Sequence, residues 1–239
     1  SETIKTTVTN KDGSTEEIVA HQEIPYDAIL LGSGDRSNPL GKDTQDKLYM
    51  IKDSEILTKN FNVEAVPATI TDTDLYDYTD DPFKNYKSMD TGDLETLKIA
   101  VSEKSGWSID LIQGGEKSLS EALVITGVAY FTSYTPPENA GNLVGCKPPL
   151  GTGSSYVVDL ALGIKRHLNV DSVRDSDNRV IDINNEPLGP PTMVVLPEDD
   201  GDDKTKDKAK GDVIIGDKVI QADFTLDTTR VYLYTLEDQ

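Results

Sequence analysis

Short β-strand patterns recur in pairs along this chain, and that recurrence limits its fold more than any other feature of the sequence. Valine, isoleucine, tyrosine, phenylalanine and threonine dominate each run, while glycine, proline, asparagine and aspartate bound it, as in strands and turns. The three pairs are AILLGSGD (28–35) with KLYMIKD (47–53), GVAYFTSY (127–134) with SSYVVDLALG (154–163), and DVIIGDKV (212–219) with RVYLYTLED (230–238). The sequence therefore predicts an all-β fold.

Repeated hairpins of this kind are typical of a β-propeller, in which four-stranded sheets surround a common axis. The second pair gives the fullest predicted sheet, from Leu123–Ile125, GVAYFTS, SSYVVDL and IKRHL (164–168). Its pattern is similar to the blades of quinoprotein-like propellers. A β-sandwich is the alternative, because its strands look the same when taken singly. We predict a partial or modified β-propeller with quinoprotein-like four-stranded blades, long loop inserts and one short helix.

The chain is predicted to divide into a polar lead-in at residues 1–25 and a propeller portion at residues 26–239, the C-terminal part of a larger protein. One helix is predicted from Asp93 to Gly106, because apolar residues recur there at helical spacing and the glycine follows as a terminator. The stretch from Pro197 to Asp212 is rich in charge and almost without apolar residues. Such a composition predicts a mobile acidic loop.

The composition narrows the range of partners. With 43 acidic and 23 basic residues, the chain has a net charge of -20, which repels nucleic-acid phosphates and anionic bilayers. The sequence has no apolar stretch long enough to predict a membrane-spanning helix. Cys146 is the single cysteine, so no disulfide forms within the chain and its redox partner is left open.

The segment AILLGSGDR resembles the start of a phosphate-binding loop, which requires a helix directly after the glycines. Here Pro39 and Gly41 follow instead, and they oppose a helix start. We therefore interpret Gly32 and Gly34 as residues that let the strand bend. Asp35 is interpreted as a turn cap or a local ion-pair partner.

Three other residues are predicted to have structural roles. In DLALG, Asp159 is expected to cap a turn through its side chain, and Gly163 to supply the positive φ that the turn requires. Trp107, in GWSIDL, is expected to anchor two neighbouring sheets, because its large ring buries much apolar area.

An acidic and aromatic insert runs from Thr71 to Asp93. Asp72, Asp74 and Asp77 are weak calcium candidates, because carboxylate oxygens are the ligands that this ion prefers. Their spacing is not that of an EF-hand loop, so a solvated loop is favoured and no metal site is predicted.

The aromatic residues of the insert have two interpretations. Their rings could meet a partner on a displayed loop, or they could pin the insert to the sheet, which is favoured. Deletion of Asp72 to Tyr86 is predicted to leave the fold intact while weakening attachment. The residues concerned are Tyr76, Tyr78, Phe83 and Tyr86.

Catalysis has little support in the sequence. The two histidines, His21 and His167, are predicted at the surface, and the chain has neither a Gly-x-Ser-x-Gly elbow nor zinc-ligand spacing. A quinoprotein-like dehydrogenase is an alternative, but such enzymes have repeated tryptophan docking motifs and often adjacent cysteines, whereas this chain has one Trp and one Cys. We therefore predict neither an enzyme nor a cofactor. A carbohydrate- or protein-binding module of another surface protein is the other alternative.

Several longer phrases occur in an order that resembles one family. From Tyr26 to Asp238 they are YDAILLGSGDRSNPL, DKLYMIKD, DLYDYT, KSGWSIDL, GGEKSLSEALVITGVAYFTSYTP, GTGSSYVVDLALG, GPPTMVVLP and RVYLYTLED. Together they resemble the C-terminal propeller of the PilY/PilC family of type IV pilus tip adhesins and assembly factors.

The resemblance implies a secreted protein of the Gram-negative surface, associated with the outer membrane and the pilus tip. Its expected role is to support pilus assembly, oppose retraction, contact minor pilins and attach to host or abiotic surfaces. Calcium is a ligand of this family, but the family's Asp-x-Asp-x-Asp-Gly loop does not occur in this sequence, and neither does an Arg-Gly-Asp tripeptide.

Overall fold

The computed structural model describes residues 2–22, 25–54, 68–138, 150–167, 170–197 and 208–227. Within these ranges the chain forms thirteen strands, one α-helix and a 3-10 turn at Asp72–Asp74. The helix α1 spans Thr91–Ser102, and the strands are β1 Glu2–Thr9, β2 Thr15–Gln22, β3 Asp27–Gly32, β4 Lys47–Asp53, β5 Tyr76–Asp77, β6 Gly106–Asp110, β7 Leu123–Ile125, β8 Val128–Thr135, β9 Thr152–Asp159, β10 Val180–Asn184, β11 Thr192–Pro197, β12 Lys208–Ile215 and β13 Lys218–Asp227.

The strands form a separate hairpin and three larger sheets. The first sheet has the order β3-β4-β6-β5, the middle sheet β10-β9-β8-β7 and the third sheet β11-β12-β13, while β1 and β2 pair with each other. All pairs are antiparallel except β5 with β6. The predicted all-β class is confirmed. No sheet among the described strands closes on itself.

The middle sheet is buried on both faces. On β9, Val158 packs into the cluster shared with the first sheet, and its neighbour Val157 packs into the cluster shared with the third sheet. On β8, Phe131 packs into the cluster shared with the first sheet and Tyr130 into the cluster shared with the third sheet. This is expected because successive side chains of a strand point to opposite faces. Burial on both faces explains why these strands contain nearly continuous apolar runs.

The fourth strand of the middle sheet differs from the prediction. It is β10, Val180–Asn184, and not the predicted IKRHL, in whose described part, residues 164–167, Lys165 makes only an isolated bridge to Val158. A strand buried on two faces needs apolar side chains on both. Val180, Ile181 and Ile183 supply them, and all three are buried.

The third pair of strand patterns is also arranged differently. DVIIGDKV contains a hairpin turn between β12 and β13, with Gly216 at φ 59°, and residues 230–238 lie outside the described residues. The predicted loop from Pro197 to Asp212 is wrong at both ends, because Pro197 closes β11 and pairs with Ala209 in β12. Residues 198–207 of that loop are outside the described ranges.

The predicted helix is present, but its bounds differ. Asp90 caps α1 by accepting a hydrogen bond from the Gly92 amide at 2.9 Å, in the usual manner of an N-cap aspartate. Gly106 does not end the helix. It opens β6 at φ 143°, where a Cβ would overlap the Met50 carbonyl oxygen, so glycine is required there for close strand approach.

The polar lead-in contains the hairpin of β1 and β2 within residues 2–22, and β1 contacts α1. In the part of the chain that the structure describes, no helix has the length and apolar character needed to cross a membrane.

Candidate functional site

Trp107 lies between the first and middle sheets and is fully buried. Its ring stacks on Tyr78 with 5.6 Å between centroids and meets Phe131 of β8 edge-on at 6.2 Å. The indole Nε1 donates to the Leu160 carbonyl at 2.8 Å. The residue thus has the position of a packing anchor, with its one polar atom paired as a buried indole requires.

The insert contributes to this core, and two of its predicted recognition residues are inaccessible. Tyr78 and Phe83 are fully buried and pack edge to face at 5.9 Å, so neither ring can meet a partner. Tyr76 lies in β5 and Tyr86 is partly buried against the same core. Deletion of residues 72–86 would therefore remove core side chains, and this burial argues against the expectation that the fold survives the deletion.

The turn after β9 is built as its sequence indicates. The Asp159 carboxylate accepts hydrogen bonds from the amides of Ala161 and Leu162 at 3.0 and 2.9 Å. Gly163 has φ 63°, and a Cβ there would overlap the Tyr78 ring. Because the Tyr78 hydroxyl also donates to the Ala161 carbonyl at 3.0 Å, this turn is the surface on which the aromatic insert docks.

The Gly-Ser-Gly segment after β3 has a different role from the one predicted. Neither Gly32 nor Gly34 has a positive φ, so bending does not require them. Instead a Cβ on Gly32 would overlap the Ser118 hydroxyl, and one on Gly34 would lie 2.7 Å from the Ser118 carbonyl oxygen. Both glycines allow close passage of a neighbouring segment. Asp35 caps a turn by accepting from the Ser37 amide at 2.8 Å.

The three calcium candidates are each used locally. Asp72 pairs with Lys47 at 3.3 Å, Asp74 accepts from the Thr71 amide at 2.8 Å, and Asp77 accepts from the Thr79 amide at 2.8 Å. The hydrogen bonds from Thr71 lower the pKa of Asp74. Among the described residues, no three His, Cys, Asp or Glu side chains are grouped to hold a metal ion.

A buried polar network inside the middle sheet was not predicted. The Glu116 carboxylate is fully buried and accepts hydrogen bonds from Ser133 at 2.7 Å and Arg174 at 3.2 Å. Arg174 also donates to Ser154 at 2.8 Å and pairs with Asp182 at 3.1 Å. The Arg174 side chain is only 9% exposed. Glu116 and Arg174 are thus shielded from solvent, and the network links the strands of the middle sheet.

A second buried guanidinium joins the insert to β10. Arg179 is 1% exposed, and its nitrogens donate to the carbonyls of Tyr78 and Thr79 at 2.8 and 2.9 Å. Asp177 holds the same guanidinium through contacts of 2.7 to 3.1 Å. The insert is therefore fixed by a charge as well as by aromatic packing.

His167 does not lie at the surface as predicted, but is buried. Its Nε2 donates to the Asn178 carbonyl at 2.8 Å, while the buried Nδ1 has no partner among the described residues. Burial and, to a lesser extent, the nearby charge of Lys165 lower the pKa of His167. The side chain of His21 and all of Cys146 are outside what the structure describes.

An open cleft lies beside the insert. It has a volume of about 490 Å³ and is lined by Asp81, Lys84, Asn85, Tyr86, Lys87, Ser88, Ile164, Lys165, Arg166 and Asn178. We call it the basic cleft, because four of these ten residues are cationic and one is acidic. Sequence reasoning missed it, although it singled out Tyr86, because the two halves of the cleft are about eighty positions apart in the chain.

Comparison with known proteins gives no relative: no protein-family model, curated protein or solved structure matches the chain. The class that the structure defines is an all-β protein of stacked open sheets. The resemblance to the PilY/PilC family depends on the sequence phrases and stays a prediction.

Proposed function

We propose that this chain is a non-catalytic scaffold that supports type IV pilus assembly and surface attachment at the pilus tip. The proposal depends on the resemblance of the ordered phrases to the PilY/PilC family. One observation supports it: KSGWSIDL, SSYVVDLALG and the strand of GVAYFTSYTP meet at Trp107, Leu160 and Phe131. Three of the eight phrases that carry the resemblance thus join two sheets.

We further propose that the sheets are arranged radially, as in a propeller. Both outer faces of the three-sheet stack carry exposed apolar residues, Ile29 and Leu31 on the first sheet and Ile214 and Val219 on the third. A radial array covers both faces of every sheet, so such residues fit it. A crystal structure in which successive sheets turn about one axis would support this arrangement, and a sandwich of parallel layers would overturn it.

The pilus role is tested in the bacterium that makes this protein. Deletion of the gene is expected to reduce surface pili, counted by electron microscopy, and attachment to glass. An unaltered gene copy should restore both, a Trp107→Ala copy should not, and a Lys11→Gln copy should restore them fully, because Lys11 lies in an exposed turn. Normal piliation and attachment after gene deletion would overturn the proposal.

A further inference from the structure

The basic cleft concentrates positive charge in a protein that has little of it. The whole chain has 23 cationic and 43 acidic residues among 239, yet the ten lining residues include Lys84, Lys87, Lys165 and Arg166 against the single carboxylate of Asp81. A cluster of one sign inside a concave site attracts ions of the other sign. The cleft is therefore a place where this acidic protein favours an anion.

The four cations form no ion pair with a described residue, although the Lys87 ammonium lies 5.9 Å from the centroid of the Tyr86 ring. Within the described ranges, none of them lies within 4.0 Å of a carboxylate oxygen; the ion pairs present involve Lys47, Arg174 and Arg179. The Nε atom of Arg166 is buried, and no described residue accepts its hydrogen bond. A buried guanidinium nitrogen without an acceptor costs free energy unless a ligand supplies one.

The walls of the cleft are held in place before any ligand arrives. On one side the Arg166 amide donates to the Val157 carbonyl at 3.0 Å, and the Asp159 amide donates to the Ile164 carbonyl at 2.8 Å. On the other side the amides of Lys84 and Tyr86 close successive turns at 3.0 and 2.9 Å. Preorganised walls reduce the entropy that binding must offset.

We propose that the basic cleft binds a small carboxylated sugar of one or two rings. The volume of about 490 Å³ lies within the range of small-molecule sites. The side-chain amides of Asn85 and Asn178 supply donors and acceptors for sugar hydroxyls. The Ser88 hydroxyl donates to the Asn85 carbonyl at 3.1 Å and can still accept a hydrogen bond. Lys165 and Arg166 face the carboxylate, and the Tyr86 ring supplies apolar surface.

The surroundings of the cleft favour a small anion over a polyanion. A nucleic acid or polyphosphate would extend beyond the cleft onto a surface whose net charge is -20, where like charges repel it. The one or two carboxylates of a small sugar acid meet four cations against the single carboxylate of Asp81 at close range. This inference does not depend on the pilus role, because it follows from the lining residues alone.

The test measures binding of digalacturonate to the purified full chain by isothermal titration calorimetry, with digalactose as the uncharged control and inorganic phosphate as a second anion. Digalacturonate is expected to bind, with an affinity that falls as salt rises, and neither control should match it. Absence of digalacturonate binding at millimolar concentration, or equal binding of digalactose or phosphate, would overturn the proposal.

Variants locate the site. Lys165→Gln and Lys84→Gln alter exposed side chains and are expected to weaken binding about tenfold each, the loss of roughly one charge-assisted hydrogen bond. Arg166→Gln should weaken it at least as much. Lys11→Gln makes the same chemical change in a distant exposed turn and should leave affinity unchanged. Equal losses in all four variants would overturn the assignment to this cleft.

Discussion

Glycine positions in this fold are set by two different constraints, backbone conformation and available space. Gly163 is subject to both, because its φ is 63° and a Cβ would overlap the Tyr78 ring. Gly127, in the turn between β7 and β8, also has a positive φ of 79°, but a Cβ there would have no heavy atom within 4 Å. Substitution of Gly127 therefore measures the cost of the backbone conformation alone, whereas substitution of Gly163 adds the cost of a steric contact with Tyr78.

Gly163→Ala is expected to lower the free energy of unfolding by about 3 kcal/mol or more, whereas Gly127→Ala should cost about 1 kcal/mol. The difference arises because only the first substitution pushes Tyr78 away from the turn on which it docks. Urea denaturation followed by tryptophan fluorescence measures both. Equal losses in the two variants would show that the Tyr78 contact contributes nothing.

The buried ring of His167 makes stability depend on pH. Because burial lowers its pKa in the folded state below the ordinary 6.5, the unfolded chain binds a proton more readily. The stabilisation from the neutral ring is complete above that value and is lost as the pH falls through it. The pKa of Asp81 is raised by burial. Its contribution to the free energy of unfolding therefore has the opposite sign: it is present in more acidic solutions and is lost as the pH rises.

We therefore expect the free energy of unfolding to fall between about pH 7.5 and about pH 5.5, and His167→Gln to remove part of that fall. Glutamine keeps an amide that can donate to the Asn178 carbonyl but does not titrate. Urea denaturation at the two pH values gives the comparison, and Asp81 is the same in both proteins. An identical pH dependence in the variant would contradict the burial of this ring.

At the scale of elements, the strands of the middle sheet are joined by charge as well as by hydrophobic packing. Glu116 precedes β7, Ser133 lies in β8, Ser154 in β9 and Asp182 in β10. Arg174 contacts Glu116, Ser154 and Asp182 directly, and Ser133 joins the network by donating to Glu116. A buried pair of opposite charges contributes modestly when intact, but it is costly to break because one charge is left alone.

Arg174→Met is expected to lower the free energy of unfolding by about 3–5 kcal/mol, since Glu116 would lose its cation while fully buried. The double variant Arg174→Met with Glu116→Gln should recover much of that loss, because the remaining amide is neutral. Urea denaturation of the wild type, both single variants and the double variant gives the coupling between the two residues. Simple addition of the two single losses would contradict the pairing.

Local composition predicted some elements and not others. The strands of AILLGSGD, KLYMIKD and GVAYFTSY were predictable because β-branched and aromatic runs between turn residues form strands wherever they pack. The Asp159 turn was also predictable, since both its cap and its glycine lie within five residues. In contrast, Glu116 and Arg174 are 58 positions apart, and such a pairing has no local pattern. The burial of His167 and the choice of β10 over residues 164–168 likewise depend on tertiary packing.

At the scale of the whole molecule, the insert connects layers that the sequence alone would leave separate. Tyr78 stacks on Trp107 of the first sheet, donates to the turn after β9 of the middle sheet, and offers its carbonyl to Arg179 before β10. The aromatic rings of the insert thus pack as in the favoured interpretation, and the insert is part of the structure that holds two sheets together. The basic cleft beside it is the surface that we propose for recognition.

Amide hydrogen exchange of the full chain, followed by mass spectrometry, tests this central claim most directly. If the insert is part of the core, peptides covering residues 76–83 should exchange as slowly as those of β8 and β9, and far more slowly than the exposed β1–β2 hairpin, because slow exchange follows burial and cooperative structure. If residues 76–83 exchange as fast as that hairpin while β8 and β9 stay protected, the insert is a loop and the account is contradicted.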